Sequence, residues 1–387
     1  MIQKLIVSKE LLENTVTRHR DFWKPFPNRS FLRSTGIYAP SIPIYLKQKD
    51  GKLLDNINKL EADLVNPDIL IREIENYNYD QLNAMLALKG QYIVSVGQGD
   101  FVPLARPPIK IPWIEAMLGC PIRMVNGQIW NEQYPGNPEW IVHKGIHFES
   151  NPWFQLYLEF IKQLQNRLHK RFFVSAMTLL RGPSDLVAAI MGVEKACIGW
   201  LDNPSFMARL MRVCTDAVLT VVEAGNKALK QSNNGYPCHW GIWAPDNIVA
   251  TQADHSVLLS PEIYKQQILP YDLEVIRSCP ISIFHIHNCG LHLVPILIEV
   301  PELNAIEVFI DPYPKEKSRK LYELETLKKI LQYKPLILDV YLPNLKEAKW
   351  LLDNLPKKGL FFKAWFDYEI YSNLPDDFPG KKIWIPE

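Results

Sequence analysis

No run in this sequence approaches the roughly 20 apolar residues that a membrane-spanning helix needs. The first ten residues, Met1 to Glu10, hold no sustained apolar segment of the secretory kind. Neither sign of charge is in excess: 43 basic residues stand against 42 acidic ones, for a net +1. That balance argues against a partner read through nucleic-acid phosphates and gives an anionic membrane surface nothing to attract. The six cysteines, Cys120, Cys197, Cys214, Cys238, Cys279 and Cys289, form no C-x-x-C pair. Scattered thiols fit a reducing compartment better than a disulfide framework, and the expected location is the cytoplasm. A G-x-G-x-x-G after a strand and a P-loop are both missing, which counts against a dinucleotide or nucleotide fold. No internal repeat, low-complexity run or Gly/Ser linker divides the chain. Glycine is sparse at 18 residues and proline plentiful at 30. Prolines in loops lower the entropy of the unfolded chain.

Against those absences, 47% of the 387 residues are hydrophobic. That is enough for a large core, in one barrel or in two domains. From about residue 95, strand-like and helix-like segments alternate at roughly 25–35-residue intervals. Strands are predicted over 91–96, 171–180, 236–243, 281–287, 305–310, 335–341 and 360–366. Three of the intervening helices share one start signal: Asn151-Pro152, Asn203-Pro204 and Ser260-Pro261. The cap side chain accepts from first-turn N–H groups, and proline at the first helical position loses no bond. Such alternation means βαβ units and a parallel sheet. Seven or eight strands, in a stretch near the ~250 residues typical of the fold, predict an α/β chain closed as a (β/α)8 TIM barrel over residues 96–387. Residues 1–95 are predicted to be a mostly helical extension packed on the barrel. A doubly wound open sheet is the alternative.

The most informative stretch is Ile281-Ser-Ile-Phe-His-Ile-His-Asn-Cys-Gly290. Side chains alternate faces along a strand. Ile281, Ile283, His285 and His287 therefore share one face, and Phe284 and Ile286 the other. Extending that parity to Cys289 sets two imidazoles and a thiol on one side, and these are ligands that Zn²⁺ prefers. Two residues along one strand separate side chains by about 6–7 Å, which argues against His285 joining His287 on one metal. A carboxylate from another strand, Glu307 or Asp367, or a water is the expected further ligand.

In a barrel the active site lies at the C-terminal ends of the strands. That rule selects Glu307 and Asp311, Asp339 and Tyr341, and Lys363, Trp365 and Asp367. It also selects Trp240 and Trp243 with His239, and Asp254 in the loop beyond them. Each has a structural reading as well. Glu307 can serve a salt bridge, Asp311 a strand-ending turn before Pro312, and Trp240 and Trp243 plain packing. Asp339 in mid-strand demands a partner or ligand, because a buried charge is costly alone, and Lys363 is the expected partner. Trp240, Trp243, Asp339, Lys363 and Trp365 are the expected substrate-binding residues.

With these residues in view, the chain resembles the uroporphyrinogen decarboxylase superfamily over roughly residues 95–370. The resemblance rests on Leu180-Arg-Gly-Pro-Ser-Asp-Leu-Val-Ala-Ala-Ile-Met-Gly192 and on Trp200-Leu-Asp-Asn-Pro204. It also rests on Ala253-Asp-His-Ser-Val-Leu-Leu-Ser-Pro261 with Tyr264 and Leu269-Pro-Tyr271, and on His287-Asn-Cys289-Gly290, similar to the H-x-C-G zinc motif of the family's methyltransferases. The decarboxylases' M-R-Q-A-G-R segment has no counterpart here. The methyltransferases' second zinc cysteine is missing too, since no cysteine follows Cys289.

The resemblance implies a barrel fold and a zinc-dependent methyltransferase acting with a methylated corrinoid and a thiol acceptor. It implies His287 and Cys289 at the metal, with Asp254 as a third ligand or the residue that orients one; Glu307 is the expected substitute for the missing cysteine, and Asp254 and His285 are the expected catalytic residues. A metal-free decarboxylase and a non-catalytic barrel that binds a tetrapyrrole or corrinoid remain open. The expected partners are a small-molecule substrate and a corrinoid protein, with no nucleic acid and no membrane; a homodimer is compatible with the sequence.

Overall fold

The computed structural model describes residues 9–37, 46–47, 53–54, 56–76, 93–95, 97–176, 181–311, 321–375, 378, 380–381 and 383–384. Parts of the strands predicted at 91–96 and 171–180, and the stretch 312–320, lie outside the described residues. The chain is mixed α/β. Its centre is a six-stranded parallel sheet of β1 (Leu32–Ile37), β2 (Ile248–Gln252), β3 (Ile281–His287), β4 (Ala305–Ile310), β5 (Leu336–Tyr341) and β6 (Leu360–Phe366). The order across the sheet is β1-β6-β5-β4-β3-β2. Among the described residues its hydrogen bonds do not close into a barrel.

Two of these strands correct the sequence reading. β1 was expected to be part of a helical extension, yet it pairs in parallel with β6, from Leu32 beside Phe361 to Ile37 beside Phe366. Its sequence, Leu-Arg-Ser-Thr-Gly-Ile, has a weak alternation that local reading passes over. β2 was missed altogether. The strand predicted at 236–243 is instead an antiparallel hairpin of Tyr236–Cys238 and Ile242–Ala244. The parallel strand follows it, in the β-branched run Ile248-Val-Ala-Thr-Gln252.

The strands are buried on both faces, as parallel strands under helices are. Leu32, Ile248, Ile283, Ala305, Ile337 and Phe361, one from each strand, meet in one apolar cluster. Phe284, Val308, Leu338 and Phe362, on the other face, join the larger cluster under the helices. The parity expected for β3 therefore holds from Ile281 to His287. The predicted helix caps also hold. Asn151 accepts from Trp153 and Phe154 N–H, Asn203 from Phe206, and Ser260 from Ile263.

Helix α1 (Lys9–Phe22) packs Val16 and Phe22 into the inner cluster that also holds Leu32 of β1, Ile281 of β3 and Phe361 of β6. Its His19 is fully buried. His19 Nε2–H donates to the Asp100 carbonyl at 2.5 Å, and Nδ1 accepts from Trp243 N at 3.0 Å. The two bonds use both nitrogens of a neutral ring. Burial, aided by Arg18, outweighs the Asp100 carbonyl and lowers the His19 pKa from 6.5 to about 4. The folded state therefore resists protonation that the unfolded chain accepts. Stability from this group is full above pH 6.5 and is lost as pH falls towards 4. The shift corresponds to about 3 kcal/mol. Urea unfolding at pH 7 and pH 4.5 should show a steeper pH loss for wild type than for His19→Gln; equal losses would refute the assignment.

Candidate metal centre

The inner face of the sheet changes from apolar to polar towards the C-terminal ends of its strands. Two rows of in-register residues carry the change. One runs Gln252, His285, Glu307, Ile337, Phe361 and Leu32; the other His287, Phe309, Asp339, Lys363 and Ser34. Pairing in register brings residues distant in sequence to side-by-side positions.

His285 and His287 leave β3 towards the same space, their ring centroids 4.9 Å apart and nearly perpendicular. One ring nitrogen of each and a carboxylate oxygen of Asp254 lie within 4.8 Å of one another. The expected separation along the strand is thus overcome by the way the rings turn, and His285 joins the group. Each ring is held from behind. His285 Nδ1 is bonded to Glu307 Oε2, and His287 Nδ1–H donates to Asp311 Oδ2 at 2.9 Å. With both Nδ1 atoms committed to carboxylates, Nε2 is the nitrogen available to a further ligand. His287 Nε2 lies 3.9 Å from Asp254 Oδ2.

Charges follow the same geometry. Burial disfavours the charged form of His285, but Glu307, Asp254 and Asp339 outweigh it and its pKa is raised. His287 is raised as well: burial opposes the shift, and the bond to Asp311 dominates the favourable side. Burial and nearby Asp185 raise the Asp254 carboxyl against the pull of the two histidines and Arg181. Glu307, with no exposed surface, is raised by burial.

Cys289 does not share this arrangement. The strand ends at His287 and Asn288–Leu293 winds into a short helical turn, so alternation stops before the thiol. Cys289 is exposed and lies outside the group of close ligand atoms. Burial, then Asp311 and Asp254, push its thiol up. Glu307 is also outside the group; it is bonded to His285 Nδ1.

The expected substrate-binding residues divide. Trp240 stacks on His285 with centroids 6.0 Å apart and planes at 21°. The hairpin turn that carries it is built on Gly241 at φ +70°, where a Cβ would fall 2.3 Å from Phe101. Trp243 is packing. It is fully buried in the inner cluster, and its Nε1–H donates to Ser232 O at 2.9 Å. Asp339 accepts from both Lys363 Nζ and Trp365 Nε1. The Lys363 ammonium also lies 5.5 Å from the Trp365 ring and 5.7 Å from that of Phe101. Tyr341 OH donates to Asp367 Oδ2 at 2.7 Å. Sequence reasoning did not single out Gln252 or Asp185, which stand behind Asp254. The signal for Asp185 was its place three residues after Gly182, where a carboxylate at the third helical position can accept from the N–H of the residue before the helix.

No family model matches the chain, and no curated protein does. Among solved structures, a methyltransferase from Methanosarcina mazei is similar in fold. The TM-score is 0.53 at 16% identity, over 91% of this chain and 93% of that one. Among the described residues, no helix is long and apolar enough to cross a membrane.

The Asp339–Lys363 pair is almost fully buried on both sides. Removing one partner of such a pair strands the other charge, at a cost of about 3–5 kcal/mol. Asp339→Ala should lose stability on that scale in urea unfolding at neutral pH. The double change Asp339→Leu with Lys363→Met should recover most of it. A loss of less than about 1 kcal/mol in the single variant would show the pair to be better solvated than its burial implies.

Proposed function

We propose that the chain is a methyl-transfer enzyme with a metal site formed by Asp254, His285 and His287. The observation that supports it best is the paired orientation of the two imidazoles. Each is bonded through Nδ1 to its own carboxylate, and both converge on a third carboxylate. Histidines that ligate metals usually carry such a partner on the other ring nitrogen. Two imidazoles and a carboxylate suit Zn²⁺ and leave a position open, as catalytic sites do. Zn²⁺ held there would lower the pKa of a thiol acceptor and keep it as the thiolate.

The protein's own residues supply the rest. Glu307 and Asp311 fix the tautomer and direction of the two rings. Trp240 walls the site on the hairpin side through its stack on His285. The Lys363–Asp339–Trp365 group fills the neighbouring inner face and keeps a charged lysine in a fixed place. In this reading the methyl donor is a methylcorrinoid carried by a partner protein, as the resemblance implies. We read the sheet as the larger part of a (β/α)8 barrel that includes β1 as well as strands from residues 96–387. The pairing of β1 with β6 supports closure, because it joins the first strand to the last. The likeness in fold to a methyltransferase points the same way.

The metal-free decarboxylase reading has one observation in its favour. The Asp254 carboxyl is raised and sits beside two histidines, an arrangement suited to proton transfer. Zinc content separates the two. Protein purified without chelator should carry stoichiometric zinc, as should Cys289→Ser. His287→Ala and Asp254→Ala should lose it while remaining folded by circular dichroism. Zinc-free wild type would move the preference to the decarboxylase, and loss of zinc in Cys289→Ser would return the thiol to the ligand set.

A further inference from the structure

Asp254 is the one member of the site that does not stand on β3. His285 and His287 stand on β3 with their rings bonded from behind. Asp254 lies beyond the end of β2, at the start of the short turn Asp254–Leu258. Its Oδ2, the oxygen 3.9 Å from His287 Nε2, accepts from Gln252 Nε2 at 3.0 Å. The same Gln252 nitrogen donates to Asp185 Oδ2 at 2.8 Å. Asp185 is in turn fixed by backbone. It accepts from Gly182 N at 3.1 Å and from His255 N at 2.9 Å. It sits in the first turn of α2 (Pro183–Met191) and caps it. Gly182 makes the approach possible, since a Cβ there would lie 1.7 Å from the Gln252 carbonyl oxygen. Gln252 is itself buried and in register with His285.

An amide suits the gap between two carboxylates. It brings two hydrogens on one nitrogen and no charge. Glutamate would add a third negative group, asparagine is one methylene short, and methionine matches the shape without a donor.

We propose that Gln252, held by Asp185, is the positioning residue of the site and fixes the Asp254 carboxylate against the two imidazoles. This rests on the metal reading of the same site. Its consequence is that the first turn of α2 and the ends of β2 and β3 act on Asp254 as one rigid unit.

The test is a titration of metal-free protein with Co²⁺, followed by the visible absorption bands and by competition with a chelator. It compares wild type, Gln252→Met and Asp254→Ala, with thermal unfolding measured on each. Gln252→Met should bind Co²⁺ about 10–100-fold more weakly, the usual cost of losing a partner behind a ligand, and its bands should shift in position and intensity. Affinity and spectrum equal to wild type in Gln252→Met, with binding abolished in Asp254→Ala, would overturn the positioning role alone. Wild type that takes up no Co²⁺ would overturn the metal reading and this role with it. Should Gln252→Met fail to fold, Gln252→Asn is read by the same two outcomes.

Discussion

An imidazole away from bulk water has two nitrogens to satisfy, and the whole site follows from how the buried His285 and the half-buried His287 use their first. Glu307 has no exposed surface and binds His285; Asp311 binds His287. A carboxylate so deep is tolerable only with a partner beside it. Strand pairing supplies the partner, because Glu307 on β4 is the direct neighbour of His285 on β3. Hydrogen-bond register, hydrophobic parity and ring orientation are thus one constraint seen at three scales. A one-residue slip of β4 would turn Glu307 outward and leave His285 with no acceptor behind it.

The inner face is layered for the same reason. Its lower part, from Ile248 and Ile281 to Phe361, is apolar and capped by α1. Above it charged and polar groups pair: Glu307 with His285, Asp339 with Lys363 and Trp365, Asp311 with His287. Such matching holds charged groups at fixed places without freeing them to move, which is what a site needs from its walls.

Much of this was legible along the chain. β3 to β6 announce themselves by apolar runs at even spacing, and three helices by a cap followed by proline. The inward parity of His285 and His287, and the Asp339–Lys363 pair, followed from alternation alone. What was hidden had physical causes. Leu32–Ile37 contains a glycine, a serine and an arginine, and only its distant partner makes it a strand. The thiol of Cys289 was misplaced because period-two counting was carried past the end of the strand. His285 was set apart from His287 because strand spacing describes Cα atoms, whereas ring nitrogens reach across several ångströms. Gln252 carries no charge and no motif, so only coordinates reveal that it stands between two carboxylates.

The neighbour relation of β1 and β6 has a meaning for synthesis as well as for architecture. β2 to β6 lie side by side in chain order, so each can pair soon after it emerges. β1 is made early, but its hydrogen-bonding edge belongs to a strand nearly the whole chain away. Its N–H and C=O groups have no partner from this sheet until Leu360–Phe366 exists. Long-range pairings of this kind are slow to form, and unpaired edges invite association while they wait. A protein built this way carries its first sheet strand through most of its own birth without the neighbour that pairs with it.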